Sequence, residues 1–468
     1  MPKLDPDRLF PLDDRSRGLA RDLYTAVADL PIISPHGHTD PRWFAENAAF
    51  PDPAQLFVTP DHYVFRMLFS QGIPLESLGV PRVDGGPTES NGRDIWRLFA
   101  SNFHLLRATP SRMWIEHALQ DVFGLNTELS AETADATYDH VADCLAKPEF
   151  RPRALFEQFG IEAISTTENA IDPLDWHRMI RESGWAGRVV TAYRPDAVVD
   201  PEFDGFADNI ATLGEMTGED TTTWEGYLAA HRNRREYFKS FGATSSDHGH
   251  PTARTEDMDQ DAAATLYAKA LAGTCTAAEA DAFRGQMLTE MARMSLDDGL
   301  VLQIHPGSVR NHSAPMMARF GRDKGFDIPG RTDYVHALKP LLDAMGTDPR
   351  LSVILFTLDE TVFSRELAPL AGVYPALKLG PAWWFFDSPE GMMRYRQTTT
   401  ETCGFYNTVG FNDDTRAFCS IPARHDVARR VDSAYLATLV ATGRLDQADA
   451  FEVAQDLAYR LAKRAYRL

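Results

Sequence analysis

Cysteine is scarce in this chain of 468 residues: Cys144, Cys275, Cys403 and Cys419 stand far apart, with no CxxC pair. That excludes a dense disulfide framework and a thiolate metal cage, and it fits a reducing cytoplasm. Cationic excess is missing as well. Lys and Arg number 47 against 67 Asp and Glu, a formal net charge of -20, so nucleic acid and anionic membrane surfaces are repelled and neither is expected as a partner. No apolar run approaches the roughly 20 residues that span a bilayer. The opening stretch MPKLDPDRLFPLDDRSRGLARDLY carries charge throughout and has no apolar h-region, so export is not expected and a cytoplasmic location is. Internal repeats and low-complexity tracts are absent too. With 44% hydrophobic and 24% charged residues, the chain nevertheless has the apolar content for a large core.

What is present is a series of short β-rich runs, each closed by polar or Gly/Pro residues and followed by a helical pattern. They lie at 30–34 (LPIIS), 161–166 (IEAIST), 188–193 (RVVTAY), 241–246 (FGATSS), 300–305 (LVLQIH), 351–356 (LSVILF), 375–380 (PALKLG) and 406–411 (YNTVGF). Eight βα units predict an α/β fold, a (β/α)8 TIM-like barrel, with chemistry at the C-terminal strand ends. The spacing is uneven. Residues 1–44 read as an N-terminal helix and the first strand, 45–160 as a helical insertion covering the barrel mouth, and 161–468 as the rest of the barrel. A helical excursion falls around 250–297 and further helices follow at the C-terminus. Thr109-Pro110 and Ser130 are the expected caps of two helices in the insertion.

The polar residues just past each strand converge on one mouth if the barrel forms. His36 and His38, in PHGHTD, project from one face of an extended chain and can meet a cation together. Arg194 follows the third run, Asp247 and His248 the fourth, His305 ends the fifth, Trp383 and Trp384 follow the seventh, and Asp414 and Arg416 the eighth. His36, His38 and Asp414 would offer two nitrogens and one carboxylate with positions left open, a catalytic rather than a closed structural arrangement. Each also has a bland reading: Asp414 as a helix N-cap, His305 as a hydrogen-bonded core residue, the arginines as solvated surface groups. Arg194, rather than a bridging Lys or Glu, at the third strand end favours one metal over two.

The chain resembles the uronate isomerase (glucuronate isomerase) family of the amidohydrolase superfamily. The matching segments run in order: DHYVFRMLFSQGI, ISTTENAIDPLDWH, AYRPD, FGATSSDHG, LQIHPGSVRN, GPAWWFFDSPEGM and DDTRAFCSIPARHDVARR. Gly37 between the histidines, Ser34-Pro35 and NDDTR depart from the common pattern, yet none removes a group the reaction needs. The resemblance implies aldose–ketose isomerisation of D-glucuronate to D-fructuronate and of D-galacturonate to D-tagaturonate, with one divalent ion, zinc or manganese or another. For the chemistry itself we expect Asp414, or a water or hydroxyl it activates, to move the carbon-bound proton, with Asp414 ligand, base or both, Arg416 to stabilise the enediolate, and Tyr63 and His305 to handle oxygen protons. Substrate contacts would come from Arg194, Trp383, Trp384, His62, Arg66, Asp247 and His248. The expected partner is a small uronic acid, with homo-oligomer formation left open. Two other readings stand beside it. One is a metal-dependent hydrolase of the same superfamily, which needs little beyond ligands and a base; the other is a non-catalytic carbohydrate binder, which needs neither the His pair nor Asp414.

Overall fold

The computed structural model describes residues 4–468. Nine strands form: β1 (Ile32–Ser34), β2 (Ile161–Asn169), β3 (Val189–Arg194), β4 (Ser245–His248), β5 (Val301–Ile304), β6 (Ser308–Val309), β7 (Ile328–Pro329), β8 (Val353–Leu355) and β9 (Leu377–Leu379). Seven of them join one curled parallel sheet in chain order, while β6 and β7 pair with each other as an antiparallel ribbon that the sequence pattern does not announce. Helices connect successive sheet strands, as parallel pairing requires. Side-chain alternation then builds two cores. Leu302, Ile304, Val353 and Leu355 face the helical layer, whereas Val301, Ile354, Phe356 and Val409 face the other way and gather around Tyr466.

The run at 406–411, expected as the eighth strand, is not one. It makes a single parallel bridge, Leu379 to Thr408. Gly410, at φ +77, turns the chain there, and a Cβ on it would lie 2.8 Å from the Leu457 carbonyl oxygen. The C-terminal helices press against the segment at that point and bend it out of register. Beyond the bend, the Thr415 carbonyl accepts from the His38 amide at 3.2 Å, so 408–415 runs from β9 to the residues that follow β1.

The fourth run also begins later than expected. Gly242, at φ +90, ends the turn after the helix Trp224–Ser240, and pairing starts only at Ser245. Asp247 and His248 therefore belong to β4 rather than to the loop after it, and as neighbours they point to opposite faces. In the region between β1 and β2, helices run from Pro41 to Gln158 around their own core of Trp96, Phe99, Phe103 and Leu119. Thr109 caps Pro110–His117 as expected, accepting from the Arg112 amide. Ser130 does not act as a cap. The Thr133 hydroxyl ties back to the Ser130 amide and the Glu128 carbonyl, and the helix starts at Ala134. Between β4 and β5 lie Gln260–Leu271 and Ala277–Asp298, the second opened by a Thr276/Glu279 capping box and closed by Gly299 in the left-handed region.

The two ends of the chain clasp each other. Helix Asp14–Thr25 packs on Ile421–Ala441, and Arg8, Tyr24 and Arg430 all converge on Asp426.

Candidate active site

One cavity of about 450 Å³ opens at the C-terminal edge of the sheet. His36, His38, His62, Tyr63, Arg194, His305, Trp383, Trp384, Asp414 and Arg416 line it. Asp247, His248 and Arg66 do not belong to that lining, and their places differ from one another. Asp247 lies directly behind the wall, His248 is on the opposite face of β4, and Arg66 stacks on Phe385 at 4.9 Å and on the Tyr63 ring at 5.3 Å.

His36 and His38 leave β1 two residues apart, and both aim their Nε2 atoms at Asp414 Oδ1, at 3.5 and 3.4 Å. Asp414 itself takes φ +34, a left-handed conformation rare outside Gly, Asn and Asp, and its Oδ2 accepts from Trp383 Nε1. Trp383 is thereby the residue that fixes which carboxylate oxygen faces the histidines. It also packs into the core against Phe356 and His305, while Trp384, at φ +50, is half-buried and stacks under Arg310 at 5.3 Å.

The donor set fits a divalent cation. Ligand atoms about 2.1 Å from one ion in a tetrahedral arrangement stand about 3.4 Å apart, and the two histidine–aspartate separations match that. Asp414 Oδ1 is buried with no hydrogen-bond donor, so a cation would satisfy it. Burial raises the Asp414 pKa, but His36 and His38, with the Trp383 N–H, outweigh it and hold the group below the usual carboxylate value. His38 is pushed well down by burial, leaving a neutral imidazole with a free lone pair.

Behind these residues Asp247 is fully buried. His305 Nδ1 lies 2.6 Å from it, Arg194 Nη1 3.3 Å, and His36 Nδ1 3.9 Å. Desolvation works against its charge, yet His305, His36 and Arg194 together keep it well below the ordinary range. The His36 and His305 rings stack at 4.6 Å, so the carboxylate that holds His305 also sets the ring against which His36 packs. Arg194 donates Nε to Asp196 at 2.8 Å and sets Nη1 in an ion pair 3.3 Å from Asp247, leaving Nη2 for a ligand. Arg416 has no ion-pair partner among the described residues.

The helices after β1 supply the cover. Asp61 caps His62–Phe69, accepting from the Tyr63 amide, and this sets the start of the helix at the cavity edge. The Tyr63 hydroxyl donates to the Trp384 carbonyl at 3.3 Å, and burial raises its pKa well above the ordinary value. Burial likewise lowers His62.

Sequence reasoning passed over several residues that the fold brings here. Arg310, Arg322 and Asp323 reach the cavity from the β6–β7 region. Arg424, 2% exposed, lies face-on to Trp114 at 3.6 Å, donates to Asp387 at 2.7 Å and to the Asp413 carbonyl at 3.2 Å. It thus joins the cover to the loop that carries Asp414. Buried Asp387 is raised to about 7, chiefly by desolvation. Arg310, Asp387 and Arg424 all lie inside segments already notable in sequence, GSVRN, FFDSPEG and SIPARHDVARR, so the signal was there although the contacts were not.

The glucuronate isomerase family profile matches residues 12–466. A uronate isomerase of Rhizobium meliloti (strain 1021) is 67% identical over 465 residues, 99% of each chain. Among solved structures, glucuronate isomerase from Caulobacter crescentus has a TM-score of 0.97 at 59% identity, covering 98% of this chain and 96% of that one. Uronate isomerase from Thermotoga maritima has a TM-score of 0.91 at 27% identity, covering 99% of both.

Proposed function

The chain belongs to the glucuronate isomerase family and is an aldose–ketose isomerase of uronates, and from that premise we propose how its cavity carries out the reaction. The substrates are D-glucuronate, giving D-fructuronate, and D-galacturonate, giving D-tagaturonate, each taken as the open-chain form. The scaffold is read as a (β/α)8 barrel whose eighth position is the bent segment 408–415, with the helices 45–160 as its cover. Supporting this are the Leu379–Thr408 bridge on one side and the His38–Thr415 hydrogen bond on the other.

Isomerisation moves a proton from C2 to C1 and another between the two oxygens, through an enediol that gathers negative charge. A divalent ion held by His36, His38 and Asp414, zinc or manganese, would supply Lewis-acid stabilisation of substrate oxygens there. Arg194 is pre-set by Asp196 and Asp247 to present Nη2 to the C6 carboxylate, an interaction a planar guanidinium makes better than a lysine. Arg416, which makes no direct ion pair among the described residues, meets the enediolate. Asp414, held by Trp383 in its left-handed turn, shuttles the carbon-bound proton. Tyr63 and His305, both nearly out of solvent, hold the oxygen protons and keep water from the reacting carbons. Trp384 and His62 close the sugar's other face.

The observation that carries this reading is the convergence of the two Nε2 atoms on Asp414 Oδ1 in a cavity that also holds two arginines. Incubating the protein with glucuronate in D2O and following the products by NMR tests it. A ketouronate should form. Consumption of amide or ester probes with no ketouronate would favour the hydrolase instead.

A further inference from the structure

His-Gly-His occurs twice in this chain, at 36–38 and again at 248–250, and both triplets stand at the C-terminal end of a sheet strand. Within the second, His248 points to the face of β4 opposite Asp247, while Gly249, with Asp196, borders the rim of the cavity. From the geometry we infer that Asp196, His248 and His250 form a second divalent-cation site, of the zinc class, separate from the one at His36, His38 and Asp414.

One ligand atom from each of the three residues falls within 4.8 Å of the others. His250 is 4% exposed, yet neither of its ring nitrogens has a hydrogen-bond partner among the described residues; His248 is fully buried and its Nδ1 is likewise unpartnered. Buried, unpaired imidazole nitrogens are destabilising, and a single cation would answer two of the three at once. His248 Nε2 lies 3.3 Å from Ser246 Oγ, the outer contact that a metal-bound imidazole makes with its second nitrogen. The two rings stand 5.6 Å apart at 72°, splayed as two ligands of one ion would be.

Asp196 has capacity to spare. Its oxygens accept from the Gly249 amide at 3.1 and 3.2 Å and from Arg194 Nε at 2.8 Å, which leaves lone pairs for a metal. Gly249 leaves room for this arrangement: a Cβ there would stand 2.4 Å from Arg194 Nη2 and 2.9 Å from Asp196 Oδ2 and displace those side chains. The groups facing His250 are Asp196, Asp200 and Asp281 with Arg284; Asp196 is also paired with Arg194 and Asp281 with Arg254, so a cation here would share carboxylates already held by arginines. Two nitrogens and one carboxylate oxygen suit zinc, cobalt or nickel over magnesium or calcium. An ion here would pin the end of β4 to the turn after β3, and so hold the arginine that enters the cavity.

The test uses the full chain with the first site disabled. His36→Ala/His38→Ala protein, stripped of metal and reloaded with Zn2+ alone, should retain about one tightly held ion per chain, while intact protein retains about two. Adding His250→Ala should weaken retention at least about tenfold. Cobalt-loaded double variant should show X-ray absorption scattering from two imidazoles, a readout that needs no further mutation and no activity. A folded double variant that holds no Zn2+, or one whose cobalt spectrum lacks imidazole scattering, overturns the site. So does Zn2+ retention that His250→Ala and His248→Ala both leave undiminished. None of these outcomes depends on isomerase turnover, so failure here is distinct from failure of the isomerase reading.

Discussion

Asp414 holds a backbone conformation, φ +34, that asparagine tolerates as readily as aspartate. Asp414→Asn therefore keeps the turn while removing the charge and the basicity. Turnover should fall by about 10²–10⁴-fold, the usual contribution of a positioned acid–base group, with the thermal midpoint nearly unchanged. A folded variant with near-normal turnover would reduce Asp414 to a turn residue. The two cavity arginines separate in the same way. Arg194→Met leaves the substrate carboxylate without its partner, at a cost of about 2–5 kcal/mol felt mainly in KM, and should spare any trace activity on the parent aldohexose. Arg416→Met should depress turnover on uronate and hexose alike, because charge at C1 and C2 develops whatever stands at C6. Equal losses on both substrates for Arg194→Met would show that the carboxylate docks elsewhere.

On the element scale, β2 and His177, reaching Thr166 from the helix Asp175–Glu182, enclose a buried acid. Glu168 is 8% exposed, accepts from Thr166 at 2.9 Å and from Thr191, and lies beside His177. Desolvation outweighs the two hydroxyl donors and raises its pKa from 4.5 to about 8. A raised folded-state pKa means that the proton stabilises the fold. The contribution is fully present below about pH 4.5 and is lost as pH rises towards 8, at up to about 1.4 kcal/mol per unit. Glu168→Gln mimics the protonated form and should flatten that part of the profile, so that the gap in thermal midpoint between variant and wild type widens in the variant's favour from pH 5 to 8. A pH-independent gap would show that Glu168 is ionised in the fold.

For the whole molecule, the residues nearest the C-terminus hold together parts far apart in sequence. Tyr466 is fully buried among Val301, Ile354, Phe356 and Val409, and its hydroxyl accepts from Asn412, two residues before Asp414. Tyr466→Ala removes that aromatic filling and should cost about 3–5 kcal/mol. Because the bent 408–415 segment leans on the same cluster, catalytic efficiency should drop with stability, measured by denaturant unfolding and kcat/KM side by side. Loss of stability with full activity would show that the segment holds its shape unaided. The clasp of Arg8, Tyr24 and Arg430 on Asp426 ties the N-terminal segment to the helix Ile421–Ala441.

Local pattern carried most of the architecture: alternating apolar runs at seven of eight places, helix caps such as Thr109, and the order of polar residues past each strand are written in neighbouring residues, where sterics and burial act within a few positions. The family motifs named the chemistry for the same reason, since each is contiguous. What adjacency could not convey were features made by distant residues. The eighth run turns away at Gly410, in the left-handed region, where Leu457, some fifty residues on, comes too close for any side chain. Asp247 and His248, side by side in sequence, end on opposite faces because β4 starts late. Arg424 joins the Asp414 loop to the cover only once a C-terminal helix lies across both. Register, closure and the partners of buried charges are set by packing between elements, and those energies do not exist until the chain has come together.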